Sequence, residues 1–393
     1  MTVDFASRLR GTLRPGMTIA FGDGVGGLRA LDDGTSVLGE ISRAAKEAGG
    51  VRLILGWSPL PLEDLQPDAF TEVITLMPGW GARGLTASAV TRSIPTSMSA
   101  IPALLAGPLR PDLLITRMAA HGGTLSFSTE VSWQQGLIDA GIPVWAVVDG
   151  SAPAASAVRR GIEGADIDVV GACGDGPAPM PGRAPEAVHE ALADNVLRLV
   201  PPGARVQYGP GQLGTAILQR ADIPLAIDTG LLTDAVVDLD RRGLLVGVPS
   251  ATYLFGGDEL FGWADGREIL RGIEHSHDVT RLASGGPFVS INTAIEIDPY
   301  GQVNVEGIAD RVVGGIGGHP DYCAAGRLSS GGLSIVAVAS RFGGRSPLVA
   351  QLSRPVSTPA HDVDVIVTEC GHADLRGADW VQRRALITEL FDG

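Results

Sequence analysis

An α/β fold with mostly parallel sheets is predicted by three features of this 393-residue sequence. Short apolar runs rich in β-branched residues recur along the chain. Amphipathic helical patterns fall between them. The composition, 45% hydrophobic and 19% charged with 54 glycines, supports a real core and many tight turns.

The first half places strands at Thr18–Phe21, 51–55, 73–76, 113–116, 144–148 and 168–170. Helices are expected at 36–48 and 133–140. In the first of these, Val37, Leu38, Ile41, Ala44, Ala45 and Ala48 recur at helical spacing, with Lys46 opposite the apolar stripe. Residues 171–185 (GACGDGPAPMPGRAP) break the alternation, and their Pro and Gly density reads as a linker. A domain boundary is therefore expected between 1–184 and 185–393. A helix over 185–199 follows, with Pro185 near its first turn. The second half restarts with strands at Arg205–Tyr208, 225–228, 244–248, Phe288–Asn292, 295–297, 334–339 and 363–368.

Charge and residue usage exclude several functions. There are 30 basic against 44 acidic side chains, a net charge of −14. Lys46 is the single lysine, so Schiff-base and pyridoxal chemistry lack a nucleophile elsewhere. No Gly-Lys-Ser/Thr exists for a Walker loop. An acidic chain with scattered Arg is a poor nucleic-acid binder. Cys173, Cys323 and Cys370 are odd in number and far apart, which fits neither a disulfide framework nor a zinc knuckle. His275-x-His277 has no third ligand at suitable spacing, so no metal site is expected. The N-terminus lacks a signal-peptide core, no apolar run spans a membrane, and no Gly-x-Ser-x-Gly elbow occurs. A soluble cytoplasmic protein is expected, and the Arg, Ala and Gly bias suits a bacterial source.

Two glycine loops follow strands: Gly22, Gly24 and Gly27, and Gly209, Gly211 and Gly214. Each is open to three readings: a dinucleotide loop, a loop that lets another phosphate or substrate approach the backbone, or a tight turn. The helix after the second loop is short for a dinucleotide crossover, and Gly56-Trp57 stands where the first would need an acid. Residues 312–322 (VVGGIGGHPDY) expose successive backbone N–H groups, the raw material of an anion nest or oxyanion hole. Glu369, Cys370 and His372 follow directly on the strand ending at Thr368, where open α/β sheets bind ligands.

Residues 290–306 (SINTAIEIDPYGQVNVE), 314–322 (GGIGGHPDY), 330–337 (SGGLSIVA) and 357–377 (STPAHDVDVIVTECGHADLRG) occur in that order. Together with YGPGQLG through TDAVVDL at 208–239, they resemble the acetyl-CoA hydrolase/4-hydroxybutyrate CoA-transferase family. The resemblance implies two CoA-transferase-like (NagB/RpiA-like) α/β domains and an acyl-CoA substrate, with coenzyme A entering as part of that substrate and no other bound cofactor. It implies that Gly315, Gly317 and Gly318 lie near the thioester and that Gly209 and Gly211 admit the pantetheine arm or acyl group. Family members commonly self-associate, so a homodimer is the expected assembly.

One departure shapes the expected reaction. Family transferases attack the thioester with a glutamate in a short His-Ser/Thr-Glu segment. Here that segment reads Asp228-Thr229-Gly230, which puts Gly230 at the glutamate position. Asp228 shares a strand face with it but starts about 7 Å away. The resemblance therefore implies hydrolysis of an acyl-CoA by water, with CoA transfer through a displaced carboxylate and acyl-CoA binding without turnover as alternatives. Glu130, in SFSTEVSW, and Glu369 are the expected carboxylate bases, with His372 a third catalytic candidate.

Overall fold

Buried β-branched runs alternating with amphipathic helices build two separate, mainly parallel sheets. The computed structural model describes residues 4–85, 87–121, 123–155, 162, 165–180 and 182–392. The chain divides into two units, each with its own sheet: one from the described residues of 1–96, 100–179 and 261–274, the other from 97–99, 180–260 and 275–393.

In the first unit the strands are β1 (Thr18–Phe21), β2 (Arg52–Leu55), β3 (Glu72–Thr75), β4 (Thr91–Ser93), β5 (Leu113–His121), β6 (Thr124–Ser126), β7 (Val144–Asp149) and β8 (Ile167–Cys173). They lie in the order β4-β3-β2-β1-β5-β7-β8, with β6 antiparallel on the end of β5. Central β1 is buried along its whole length, as expected of a strand covered on both faces. The helix Val37–Ala48 starts where Ser36 accepts a hydrogen bond from Gly39 N–H and stops at Gly49, whose φ is 68°. It buries Val37, Leu38, Ile41, Ala44 and Ala45 and leaves Lys46 exposed. Strand β8 continues to Cys173, three residues into the expected linker, because its last residues pair with Val147–Asp149 across a bulge.

The second unit contains β9 (Arg205–Tyr208), β10 (Ala226–Ile227), β11 (Leu231–Leu232), β12 (Tyr253–Leu254), β13 (Phe288–Asn292), β14 (Glu296–Ile297), β15 (Val303–Asn304), β16 (Gly307–Ile308), β17 (Arg311–Val312), β18 (Leu333–Ala337), β19 (Val365–Thr368) and β20 (Gly371–Asp374). Its main sheet runs β10-β9-β13-β18-β19-β20, and only β20 is antiparallel. Strands β13, β18 and β19 are buried throughout. The run 295–297 forms β14 outside this sheet, paired antiparallel with β15.

One expectation is corrected here. The run 244–248 is not a strand. Leu245 makes one bridge to Leu225, Gly243 and Gly247 both have φ of 70°, and Val248 is 67% exposed. Left-handed glycines on each side turn the chain before a ladder can extend. The first unit's long run ends at 179, the second resumes at 180, and residues 261–274 return to the first. Backbone and side-chain bonds hold that return: Gly266 N–H to Ala154 O (3.0 Å), Ala154 N–H to Asp265 Oδ1 (2.9 Å) and a bridge between Ser132 and Gly272.

Candidate functional site

Three parallel strands of the second unit deliver their C-terminal ends to one place. Strand β9 leads into Gly209 and Gly211, β13 ends at Asn292 and Thr293, and β18 runs on to Val338 and Ala339. These residues line a cavity of about 730 Å³. Its walls are mostly apolar, with Leu213, Ile217, Ile291, Ile308 and Phe342 among them. Asn292, which lines it, is held by Gln207 in a reciprocal amide pair, at 3.1 Å in both directions. Gly211 has φ of 141° and precedes the helix Gln212–Arg220. Ligand cavities at strand C-termini are the rule in open α/β sheets.

Sequence reasoning missed one group in this cavity. Glu296 lines it and is 6% exposed. Its Oε2 accepts from Asn304 Nδ2 (2.8 Å), Ser353 N–H (2.8 Å) and Ser353 Oγ (2.9 Å). In the sequence Glu296 looks like one polar residue of an alternating strand; its three partners lie 8 and 57 residues away.

Gly230 lies elsewhere in the same unit. Its carbonyl accepts from Thr252 N–H (3.0 Å) and Tyr253 N–H (3.1 Å). Two residues earlier, Asp228 is clamped by Arg281 through both oxygens (2.8 and 2.9 Å) and by Arg205 at 3.5 Å. The loop of Gly315, Gly317 and Gly318 ends as the cap of the helix His319–Leu328. Gly315 is half-buried, and the carbonyl of Gly317 accepts from Met98 N–H (3.0 Å). Gly230 and Gly318 converge on the same two rings, His277 and Tyr322. Gly209 and Gly211 line the cavity, whereas Gly230, Gly315, Gly317 and Gly318 do not.

Glu369 and His372 are not brought to either place. Glu369 is engaged as a cap: it accepts from Ser340 N–H (2.8 Å) and Ser340 Oγ (2.5 Å). Partial burial works against its charge, yet these bonds hold the carboxyl below its ordinary range. His372 is exposed on the edge strand β20, opposite Val367. Neither lines the cavity.

Glu130 belongs to the first unit and is 2% exposed. Its Oε2 accepts from Thr129 Oγ1 (2.6 Å) and Gly26 N–H (3.2 Å). Burial, then the nearby Asp23 carboxylate, pushes its pKa up to about 8 against the hydrogen bonds that favour ionisation. The carboxyl lies on a glycine cradle. A Cβ at Gly24, whose φ is 88°, would overlap the carboxyl, and one at Gly26 would be 2.5 Å from Oε1. Ser132, two residues on, is held at φ 48° and bonds Asp23 through its hydroxyl (3.0 Å). Strained backbone beside a buried acid is typical of sites held for function.

One group of potential metal ligands occurs among the described residues: Asp149, Cys173 and Asp175, within 4.8 Å of one another. Arg117 pairs with both carboxylates, and burial pushes the Cys173 thiol up to about 11, so a cation already occupies the acids and the thiol stays protonated.

Residues 256–391 match the family model "Acetyl-CoA hydrolase/transferase C-terminal domain". The butyryl-CoA:acetate CoA-transferase of Anaerostipes caccae is 29% identical over 228 residues, 52% of this chain and 51% of that protein. The chain thus spans about half the length of the curated relatives it matches. The crystal structure of RipA from Yersinia pestis superimposes with a TM-score of 0.85 at 20% identity, covering 99% of this chain and 93% of that one. A 4-hydroxybutyrate CoA-transferase from Porphyromonas gingivalis gives 0.75 at 20% identity, with the same coverage. The fold is that of these proteins along nearly the whole chain, and by sequence residues 256–391 are similar to an acetyl-CoA hydrolase/transferase C-terminal domain.

Proposed function

We propose that the chain is an enzyme that processes acyl-CoA thioesters and that water is the acceptor. One observation carries this reading. At the position expected to hold the attacking glutamate stands Gly230, and the three heavy atoms nearest to a Cβ built there belong to Tyr322 and His277. The nearby carboxylate, Asp228, is bound by two arginines. No acid there is placed to form an enzyme-bound anhydride, the intermediate that transfer by nucleophilic catalysis requires. The apolar cavity beyond Gly209 and Gly211 suits the acyl or pantetheine part of the substrate, and coenzyme A enters only with it.

Among the expected catalytic residues, Glu130 supports a role in proton transfer best. A carboxyl that burial pushes up to about 8 keeps its proton at neutral pH and sits near enough to neutrality to exchange it. Glu369 and His372 support structural and surface roles instead.

CoA transfer is the second reading, favoured by the activity named for the Anaerostipes relative. Incubation with acetyl-, butyryl- and benzoyl-CoA, with and without acetate, separates the two. Thiol release independent of acetate is expected. Acetate-dependent exchange through a borohydride-trappable enzyme thioester would overturn hydrolysis.

A further inference from the structure

Every buried polar atom needs a partner, and leaving one without costs about 1–3 kcal/mol. Tyr322 is 3% exposed, and its Oη makes no hydrogen bond among the described residues. His277 is equally buried. Its Nδ1 pairs with Ser276 Oγ at 2.9 Å, and its Nε2 makes no hydrogen bond among the described residues. His319 shows the contrast: Thr358 Oγ1 (2.7 Å) and the Thr293 carbonyl (3.0 Å) take both of its nitrogens.

The two unengaged atoms both lie close to Gly230. The rings pack with centroids 4.8 Å apart. A Cβ at Gly230 would lie 3.2 Å from Tyr322 Oη and 3.4 Å from His277 Nε2. Gly230 is not among the glycines with positive φ, so its backbone does not demand glycine; a Cβ there would instead crowd Tyr322 Oη. Gly318 guards the other side. A Cβ there would come within 2.5 Å of His277 Nε2 and 2.8 Å of Tyr322 Cε2, so any larger residue displaces the rings.

We propose that Tyr322 Oη and His277 Nε2 seat the attacking water beside Gly230. This rests on the hydrolase reading above and assigns its nucleophile a place. Tyr322 donates to the water oxygen, and His277 Nε2 accepts one of its protons. The water oxygen bonds the thioester carbon and the carbon–sulfur bond breaks. The proton taken by His277 leaves on the departing CoA thiolate, giving free acid and CoA thiol. Burial, and then the Arg281 cation, lowers His277 to about 3, so the ring is neutral before the attack and holds the proton only until the thiolate takes it.

Tyr322→Phe and His277→Gln test the seat. Tyr322→Phe removes a hydroxyl that holds no part of the fold, so its melting temperature is expected to equal or exceed the wild type. Its kcat for acyl-CoA hydrolysis is expected to fall about tenfold or more with KM unchanged, the worth of one hydrogen bond to the nucleophile. His277→Gln is expected to lose roughly 100-fold in kcat. An unchanged kcat in Tyr322→Phe overturns the seat while leaving hydrolysis standing. If the wild type releases thiol from no acyl-CoA, the hydrolase reading fails by itself. A high-resolution crystal structure then decides the seat: an oxygen within hydrogen-bond reach of both atoms supports it as a water site, and an empty seat overturns it.

Discussion

Glu130→Gln removes a buried proton-binding group while keeping its shape, and its effect can be worked from the structure. The unfolded carboxyl titrates at 4.5 and the folded one at about 8. Below pH 4.5 both states are protonated, and the residue imposes no ionisation penalty. Between 4.5 and about 8 the unfolded chain ionises and the folded one does not, so folding takes up a proton. Stability then falls by about 1.4 kcal/mol per pH unit, and above 8 the loss is constant. At pH 7 the residue costs about 3 kcal/mol. Glutamine can still accept from Thr129 and Gly26. The variant should therefore match the wild type near pH 4.5 and exceed it by about 3 kcal/mol at pH 7. Urea unfolding from pH 4.5 to 8 measures this by fluorescence, because Trp57, Trp80, Trp133, Trp145 and Trp263 belong to the first unit and only Trp380 to the second. Parallel stability profiles for the two proteins would show that Glu130 is ionised when folded and would refute the argument.

Gly230→Glu is expected to convert hydrolysis partly into CoA transfer, with an enzyme-bound thioester visible by mass spectrometry; a well-folded variant with no adduct would remove residue 230 from the nucleophile position. Glu369→Gln should keep kcat within about threefold, since both carboxylate oxygens serve Ser340; a 100-fold loss would return it to the catalytic machinery. Ala339→Phe intrudes on the cavity from its half-buried wall. Its KM should rise about tenfold for benzoyl-CoA and little for acetyl-CoA, measured by thiol release, and equal effects on both would separate the cavity from acyl recognition.

The parallel sheets were legible because β13, β18 and β19 are buried on both faces, which writes unbroken apolar runs into the sequence. The same rule over-read 244–248, whose apolar residues are flanked by left-handed glycines. It missed β4 (TRS), which is polar and mostly exposed. Glu130 was legible as an acid inside a segment of small and apolar residues. His277 and Tyr322 were not. Their meaning depends on the fold bringing residues 230, 277, 318 and 322 together, and no local spacing encodes that. Glu369 was placed correctly at a strand end, but the sequence gives no sign that Ser340 would take both its oxygens.

The return of residues 261–274 has a consequence in time. The first unit cannot close until a segment 95 residues beyond residue 179 has left the ribosome. At typical elongation rates that is a wait of about 5–20 s. Throughout it, the Ser132 backbone lacks Gly272, and Ala154 lacks both Gly266 and Asp265. The nascent chain therefore carries an unfinished N-terminal half during synthesis of most of the next sheet's first strands, and chaperone demand should track residue 274 rather than the boundary at 179.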